Sequence, residues 1–203
     1  MIDLLSTVAG RDVPRETFEK LEAYVALIVE ANLEQNLISS ASVSNIWERH
    51  ILDSAQLVAH QKAGNWIDIG SGAGLPGVVT AILTGTETTL VEPRRLRIRF
   101  LTAVSIKLGL DLVTLVQGKP SKVEGRYAVI TARAVASASQ ILRMTLHLSH
   151  SDTIWLLPKG RNAQKELDEV RLAWQGDFRL EPSRTDDQAS ILVAKGVRPW
   201  GKQ

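Results

Sequence analysis

The 203-residue sequence predicts an α/β fold: a mostly parallel, seven-stranded sheet with an antiparallel final hairpin, preceded by a helical cap. Three observations carry this prediction. Short, apolar, β-branched runs alternate with helical stretches from Trp66 onward; a glycine-rich turn, Gly70-Ser71-Gly72-Ala73-Gly74, follows the first run; and the last two runs are joined by polar residues with no helix between them.

From Pro14 to about Leu33, the apolar residues Phe18, Leu21, Val25, Ile28 and Val29 recur at helical spacing, with Pro14 near the start, where a helix tolerates it. A second helical stretch covers Ser44 to Lys62, with Ile46, Ile51, Leu52, Ala55 and Val58 along one side and the Gly64-Asn65 turn after it. These segments make residues 1–62 a cap and residues 63–203 an α/β core within one expected domain. Trp66 to Ile69, Thr88 to Val91, Leu112 to Val116, Tyr127 to Thr131 and Thr153 to Leu157 read as strands. Helices between and after them are expected over Pro76 to Leu83, Arg95 to Leu108, Ser137 to Leu148 and Asn162 to Trp174. Near-continuous apolar strands in such alternation belong to a parallel sheet buried on both faces. Phe178 to Glu181 and Ser190 to Ala194 lack an intervening helix, so they pair as antiparallel neighbours.

Composition narrows the functional classes. Apolar residues make up 44% and charged residues 23%, which suits an ordered globular chain. Cysteine is absent, removing disulfides, thiolate nucleophiles and cysteine metal sites together. No apolar run approaches the roughly 18 residues that span a bilayer, and Met1-Ile2-Asp3-Leu4-Leu5 lacks a basic start, so a cytoplasmic location is expected. The formal net charge is only +2, so a polyanion must be met by local clusters. Arg94, Arg95, Arg97 and Arg99 form the densest one; they fit either a solvated helix face beside Leu96 and Phe100 or, because they follow the strand ending near Glu92, a phosphate-binding edge.

The glycine turn lets backbone approach a ligand without an intervening Cβ. Gly70-x-Gly72-x-Gly74 suits the cofactor loop of an S-adenosylmethionine (SAM) methyltransferase, whereas Gly72-x-Gly74-x-x-Gly77 also satisfies the dinucleotide fingerprint. Asp68, on the strand before the turn, opposes a pyrophosphate and attracts the ammonium and sulfonium charges of SAM. Glu92 lies about twenty residues on, where an acid accepts ribose hydroxyls of either cofactor. Ligands of open α/β sheets collect beyond the carboxyl ends of the strands. That rule gathers Asp68, the glycine turn, Glu92, Gly118-Lys119-Pro120-Ser121, Ala132-Arg133-Ala134 and Pro158-Lys159-Gly160 at one edge, with Arg133 and Lys159 making it positive.

Asn36-Leu37, Arg49-His50-Ile51-Leu52-Asp53-Ser54, Asp68 through Gly77, Arg97-Ile98-Arg99-Phe100-Leu101, Ala132-Arg133-Ala134 and Lys159-Gly160 occur in this order. The series resembles the bacterial 16S ribosomal RNA (guanine-N7) methyltransferases, the glucose-inhibited division protein B family. The resemblance, covering about Asn36 to Gly160, implies a Rossmann-like SAM-dependent methyltransferase fold. It implies methylation of N7 of one guanine in the 530 loop of 16S rRNA, on free rRNA or on the small ribosomal subunit. It also implies that Gly70, Leu75, Glu92, Pro120, Ser121 and Arg133 line the cofactor site, which Ser71, Gly72 and Gly74 of the glycine turn complete. Where the family carries an acid after the third strand this chain has Gly118-Lys119-Pro120-Ser121, so backbone must meet the adenine amine. Ala132 replaces a usual serine and Pro158 a usual leucine.

Guanine N7 carries an in-plane lone pair and no proton, so its methylation needs alignment and no general base. Arg133 is then the candidate catalytic residue, positioning cofactor or guanine without donating to N7, while Arg94, Arg95, Arg97 and Lys159 are expected to hold RNA phosphates. A monomer is expected, and no metal is expected because His147 and His150 lack a supporting carboxylate. His50 and Asp53 have i,i+3 spacing and fit a structural pair at the cofactor entrance; Trp47 and Trp66 fit packing of the cap against the sheet, or stacking on a base. Two rival functions stand against the methyltransferase. A short-chain nicotinamide oxidoreductase needs Tyr-x-x-x-Lys, yet Tyr24 and Tyr127 are followed four residues on by Ile28 and Thr131. A noncatalytic RNA-binding protein would have no use for an intact cofactor loop.

Overall fold

The computed structural model describes residues 1–60 and 63–200. Three helices open the chain: α1 (Ile2–Ala9), α2 (Arg15–Gln35) and the short α3 (Ser40–Val43). A helical run follows in three geometries, a π turn Trp47–Leu52, one α turn α4 (Asp53–Ala55) and a 3-10 turn Gln56–His60. The core then alternates β1 (Trp66–Ile69), α5 (Gly77–Thr84), β2 (Thr88–Glu92), α6 (Arg95–Leu108), β3 (Val113–Gln117), β4 (Val129–Ala132), α7 (Ala138–Thr145), β5 (Ile154–Lys159) and α8 (Ala163–Ala173). It closes with β6 (Trp174–Pro182) and β7 (Ser190–Pro199).

The seven strands lie in the order β3-β2-β1-β4-β5-β7-β6, with β7 antiparallel to both neighbours and the other pairs parallel. The seven strands, their mostly parallel pairing and the antiparallel final hairpin are those predicted. Every residue of β1, β2 and β4 is buried, as strands covered on both faces require. One face carries Ile67, Ile69, Ile130, Trp155, Leu157 and Leu192 against α7 and α8. On the other, Val78, Val79 and Leu90 pack with Leu5, Leu21, Tyr24, Ile28 and Ile51 of the cap. Trp66 is buried with Leu57, Val129 and Leu156, and Trp47 stacks on Phe18 with ring centroids 5.3 Å apart, so both tryptophans serve packing.

Several boundaries differ from the sequence reading. The α1 helix escapes a periodicity search because eight residues offer one buried stripe, Leu5, Val8 and Ala9. The stretch expected as one helix from Ser44 is subdivided, and Lys62, with the cap boundary placed there, lies outside the described residues. Its π turn inserts an extra residue per turn, a device common at functional sites. Trp174 leaves the predicted helix to begin β6, where it pairs with Pro199 of β7 and is anchored by its indole N–H donating to the Ser139 hydroxyl at 2.9 Å.

Candidate functional site

The glycine turn is stapled to the neighbouring strand: the Gly70 and Ser71 N–H groups both donate to the Val91 carbonyl, at 2.8 and 3.1 Å. Gly72 holds φ +57, a left-handed conformation, and a Cβ built there meets nothing nearer than the Gly70 carbonyl at 3.8 Å. The space above the turn is therefore open to a ligand. Gly77 is glycine for a different reason, since a Cβ there would lie 2.3 Å from Leu90 and 2.8 Å from Asp68.

Asp68 is buried on the cap side of β1. Its Oδ1 accepts from the Thr131 hydroxyl at 2.8 Å and its Oδ2 from the Gly77 N–H at 3.3 Å, bracing β1 against β4 and the start of α5. Burial pushes its carboxyl up to about 6, partly offset by those bonds and by the charge of Arg133. Glu92, equally buried, receives the Gly72 N–H on Oε2 at 2.9 Å and the Arg94 backbone N–H on Oε1 at 2.8 Å; the Arg94 Nε donates to Oε1 at 3.2 Å. A carboxylate has about four acceptor positions, so Oε2 keeps one free beside the Gly72 N–H. The end of β3 joins the same edge through the Gly118 N–H, which donates to the Glu92 carbonyl at 3.1 Å, and places half-buried Pro120 and exposed Ser121 beside it. Leu75 is buried under the turn.

Arg133, directly after β4, ties the sheet to the cap. Its Nη1 donates to Asp53 Oδ2 at 3.0 Å and its Nη2 to His50 Nδ1 at 3.2 Å. His50 and Asp53 thus meet through Arg133 and not as the direct pair their spacing suggested. A guanidinium only donates, so His50 Nδ1 accepts and Nε2 bears the proton. Burial, then the charges of Arg133 and Arg49, hold His50 down to about 4, leaving the ring neutral. Beyond Arg133, Val135 lies over the turn, with its Cγ2 2.6 Å from where a Gly70 Cβ would stand.

The basic residues divide. Arg95 and Arg99 are exposed, and Arg94 is largely so despite its bond to Glu92. Arg97, by contrast, donates from Nη2 to the Asn36 carbonyl at 2.7 Å. Lys159, expected at RNA phosphates, is only 10% exposed; its Nζ pairs with Glu166 at 2.8 Å and donates to the Ala136 carbonyl at 3.0 Å. Burying an unpaired ammonium is costly, so the sequence supplies Glu166 on α8. Among the described residues no group of three or more His, Asp and Glu side chains is placed to hold a metal, and no helix is long and apolar enough to cross a membrane.

Tyr24 was missed as a site residue. Its buried hydroxyl donates to the Ala73 carbonyl at 2.6 Å, pinning the glycine turn to α2. Its position on the apolar stripe of that helix was the available signal. A cleft of about 380 Å³ opens beside the turn, over the ends of β4, β5 and β7, with Arg133 on one wall and Asp186 of the β6–β7 loop on another.

The profile of the family described as rRNA small subunit methyltransferase G matches residues 17–183. The chain belongs to that family. The ribosomal RNA small subunit methyltransferase G of Rhizorhabdus wittichii is 47% identical over 201 residues, covering 96% of this chain and 92% of its own. That of Zymomonas mobilis is 43% identical over 197 residues, covering 92% and 89%. Among solved structures, a SAM-dependent methyltransferase from Aquifex aeolicus superposes with a TM-score of 0.60 at 13% identity, covering 75% of this chain and 93% of that one. A singly substituted form of MtNAS, in complex with SAM, gives a TM-score of 0.58 at 18% identity, with 87% and 74% covered. The fold is thus the Rossmann-like methyltransferase fold, and the family's activity class is SAM-dependent methylation of small-subunit rRNA. The turn open above Gly72 and the acceptor position left on Glu92 fit that donor.

Proposed function

We propose that this chain methylates N7 of one guanine in the 530 loop of 16S rRNA, by direct in-line transfer. The observation that carries the reading is the joined arrangement of the Gly72 N–H, Glu92 and Asp68 at the carboxyl edge, with Arg133 bridging that edge to the cap. SAM supplies an electrophilic methyl on a sulfonium. Glu92 Oε2 holds a ribose hydroxyl, and the backbone after β3 at Pro120 and Ser121 lines the adenine. Asp68 supplies negative charge on the side of the amino-acid tail. Arg133 fixes the wall between cofactor and acceptor.

With SAM bound, the guanine N7 lone pair would take the methyl carbon and the carbon–sulfur pair would leave with sulfur. No proton moves, and the positive charge passes to the purine. The site accordingly needs no base; His50, neutral and bonded to Arg133, serves to orient that arginine. Exposed Arg94, Arg95 and Arg99 hold phosphates, so binding weakens with salt. The acting form is proposed to be a monomer. Small-subunit rRNA transcripts made with 7-deazaguanosine in place of guanosine lack the N7 lone pair. They should bind but accept no methyl group, and their methylation would contradict the N7 reading.

A further inference from the structure

The cleft beside the glycine turn lies on the side of β4 away from β2 and β3, the strands whose ends hold the cofactor's adenosine in the reading above. Its floor is the ends of β4 and β5 and the start of β7, where Lys159 registers against Ser190. Because β7 is antiparallel, the β6–β7 loop returns to this same edge and forms the far wall. That loop is firmly seated. The Arg184 Nη1 donates to the Thr7 and Val8 carbonyls at the end of α1, at 3.0 and 2.9 Å, and the Arg184 N–H donates to Gln56 Oε1 at 2.9 Å. The Thr185 hydroxyl donates to Asp53 Oδ1 at 3.3 Å, so one carboxylate holds both Arg133 and the loop.

Three carboxylates line the cleft, and two of them are engaged. Asp53 receives Arg133, Gln56 and Thr185. Glu166 receives Lys159 and the Ala138 N–H, both on Oε2 at 2.8 and 2.6 Å. The carboxylate of exposed Asp186 accepts only the Gln188 N–H among the described residues, on Oδ1 at 2.9 Å, which leaves Oδ2 available.

We propose that this cleft receives the acceptor guanine and that Asp186 is its specificity-determining residue, accepting from N1–H and the 2-amino group. This rests on the N7 reading above. A purine that presents N7 toward the methyl group turns its N1 and N2 edge the opposite way, toward the β6–β7 loop. Both groups on that edge are donors, and a carboxylate is their matched acceptor; adenine, with an unprotonated N1 and no 2-amino group, offers neither. The contact also gains strength during the reaction. As positive charge develops on the purine, N1–H becomes a stronger donor, so Asp186 binds the transition state more tightly than the ground state and acts on kcat as well as KM.

The test uses a synthetic hairpin with guanosine or inosine, which lacks the 2-amino group, at the one position methylated in rRNA. The wild-type chain should prefer guanosine by about 10-fold in kcat/KM. Asp186→Ala and Asp186→Asn should each lower kcat on the guanosine hairpin by about 10-fold or more and bring the guanosine-to-inosine ratio near one, with SAM affinity and melting temperature unchanged. Asp186→Asn keeps the size of the side chain and an oxygen for the Gln188 N–H, which guards against a loop that simply loosens. Equal use of both hairpins by the wild type, or variants that lower both by the same factor, would overturn the proposal. Product mapping on the wild type reads the N7 assignment separately, so failure of either is distinguishable.

Discussion

The Tyr24 hydroxyl donates to the Ala73 carbonyl at 2.6 Å, joining the second helix of the cap to the middle of the glycine turn across 49 positions of sequence. Through this bond the cap helps position the loop proposed to meet the cofactor. Tyr24→Phe leaves a buried carbonyl without its partner. It should cost about 1–2 kcal/mol in denaturant unfolding and weaken SAM binding several-fold by calorimetry, with near wild-type kcat at saturating cofactor.

Asp68 gives the site a pH dependence. Its carboxyl is raised in the folded chain to about 6, above its usual 3.8. Its contribution to stability is therefore fully present below the unfolded value and is lost as pH rises through about 6. SAM affinity should move oppositely, rising over the same window as the carboxylate forms and meets the cationic tail. Asp68→Asn should flatten both profiles, and calorimetric titrations that show equal SAM affinity on either side of that window would remove the carboxylate from cofactor binding.

Arg133→Ala should abolish most methyl transfer, by about 100-fold or more, with the fold retained. The same change removes one of the charges that hold His50 down to about 4, so the ring should titrate closer to its usual value by NMR. Undiminished turnover would take Arg133 out of the site.

The basic residues separate by where they are held. Arg95→Ala and Arg99→Ala should each reduce the salt dependence of RNA binding by about one unit of slope. Lys159→Ala should instead leave the salt slope unchanged and cost roughly 1–3 kcal/mol of stability, below the loss for a fully buried pair because Glu166 keeps some solvent contact. A reduced slope in the lysine variant would place its ammonium on RNA.

The number of strands and their mostly parallel pairing were legible from sequence because β1, β2, β4 and β5 are short, largely apolar runs alternating with helices. Asp68, the glycine turn and Glu92 were legible because local spacing and strand ends place them together. What escaped depends on distant contacts. Tyr24 reaches the turn only through packing of α2 on the sheet, and the β6–β7 loop becomes a wall of the cleft only because Arg184 finds the end of α1, 176 positions away. The join between cap and sheet escaped for a similar reason, since Asp53 and His50 are both held by an arginine 80 and 83 positions further on. Lys159 looked like a phosphate ligand in sequence because its partner, Glu166, belongs to α8, whose packing against α7, β6 and β7 brings the two charges together.

The central claim is that this edge of the sheet delivers a methyl group from SAM to a guanine nitrogen of small-subunit rRNA. Incubation with SAM labelled in the methyl group, followed by nucleoside mass spectrometry of the rRNA, tests it most directly. The label should appear in 7-methylguanosine at a single position of the 530 loop. Label on another atom or another nucleotide, or none on RNA while the protein still binds SAM, would contradict it.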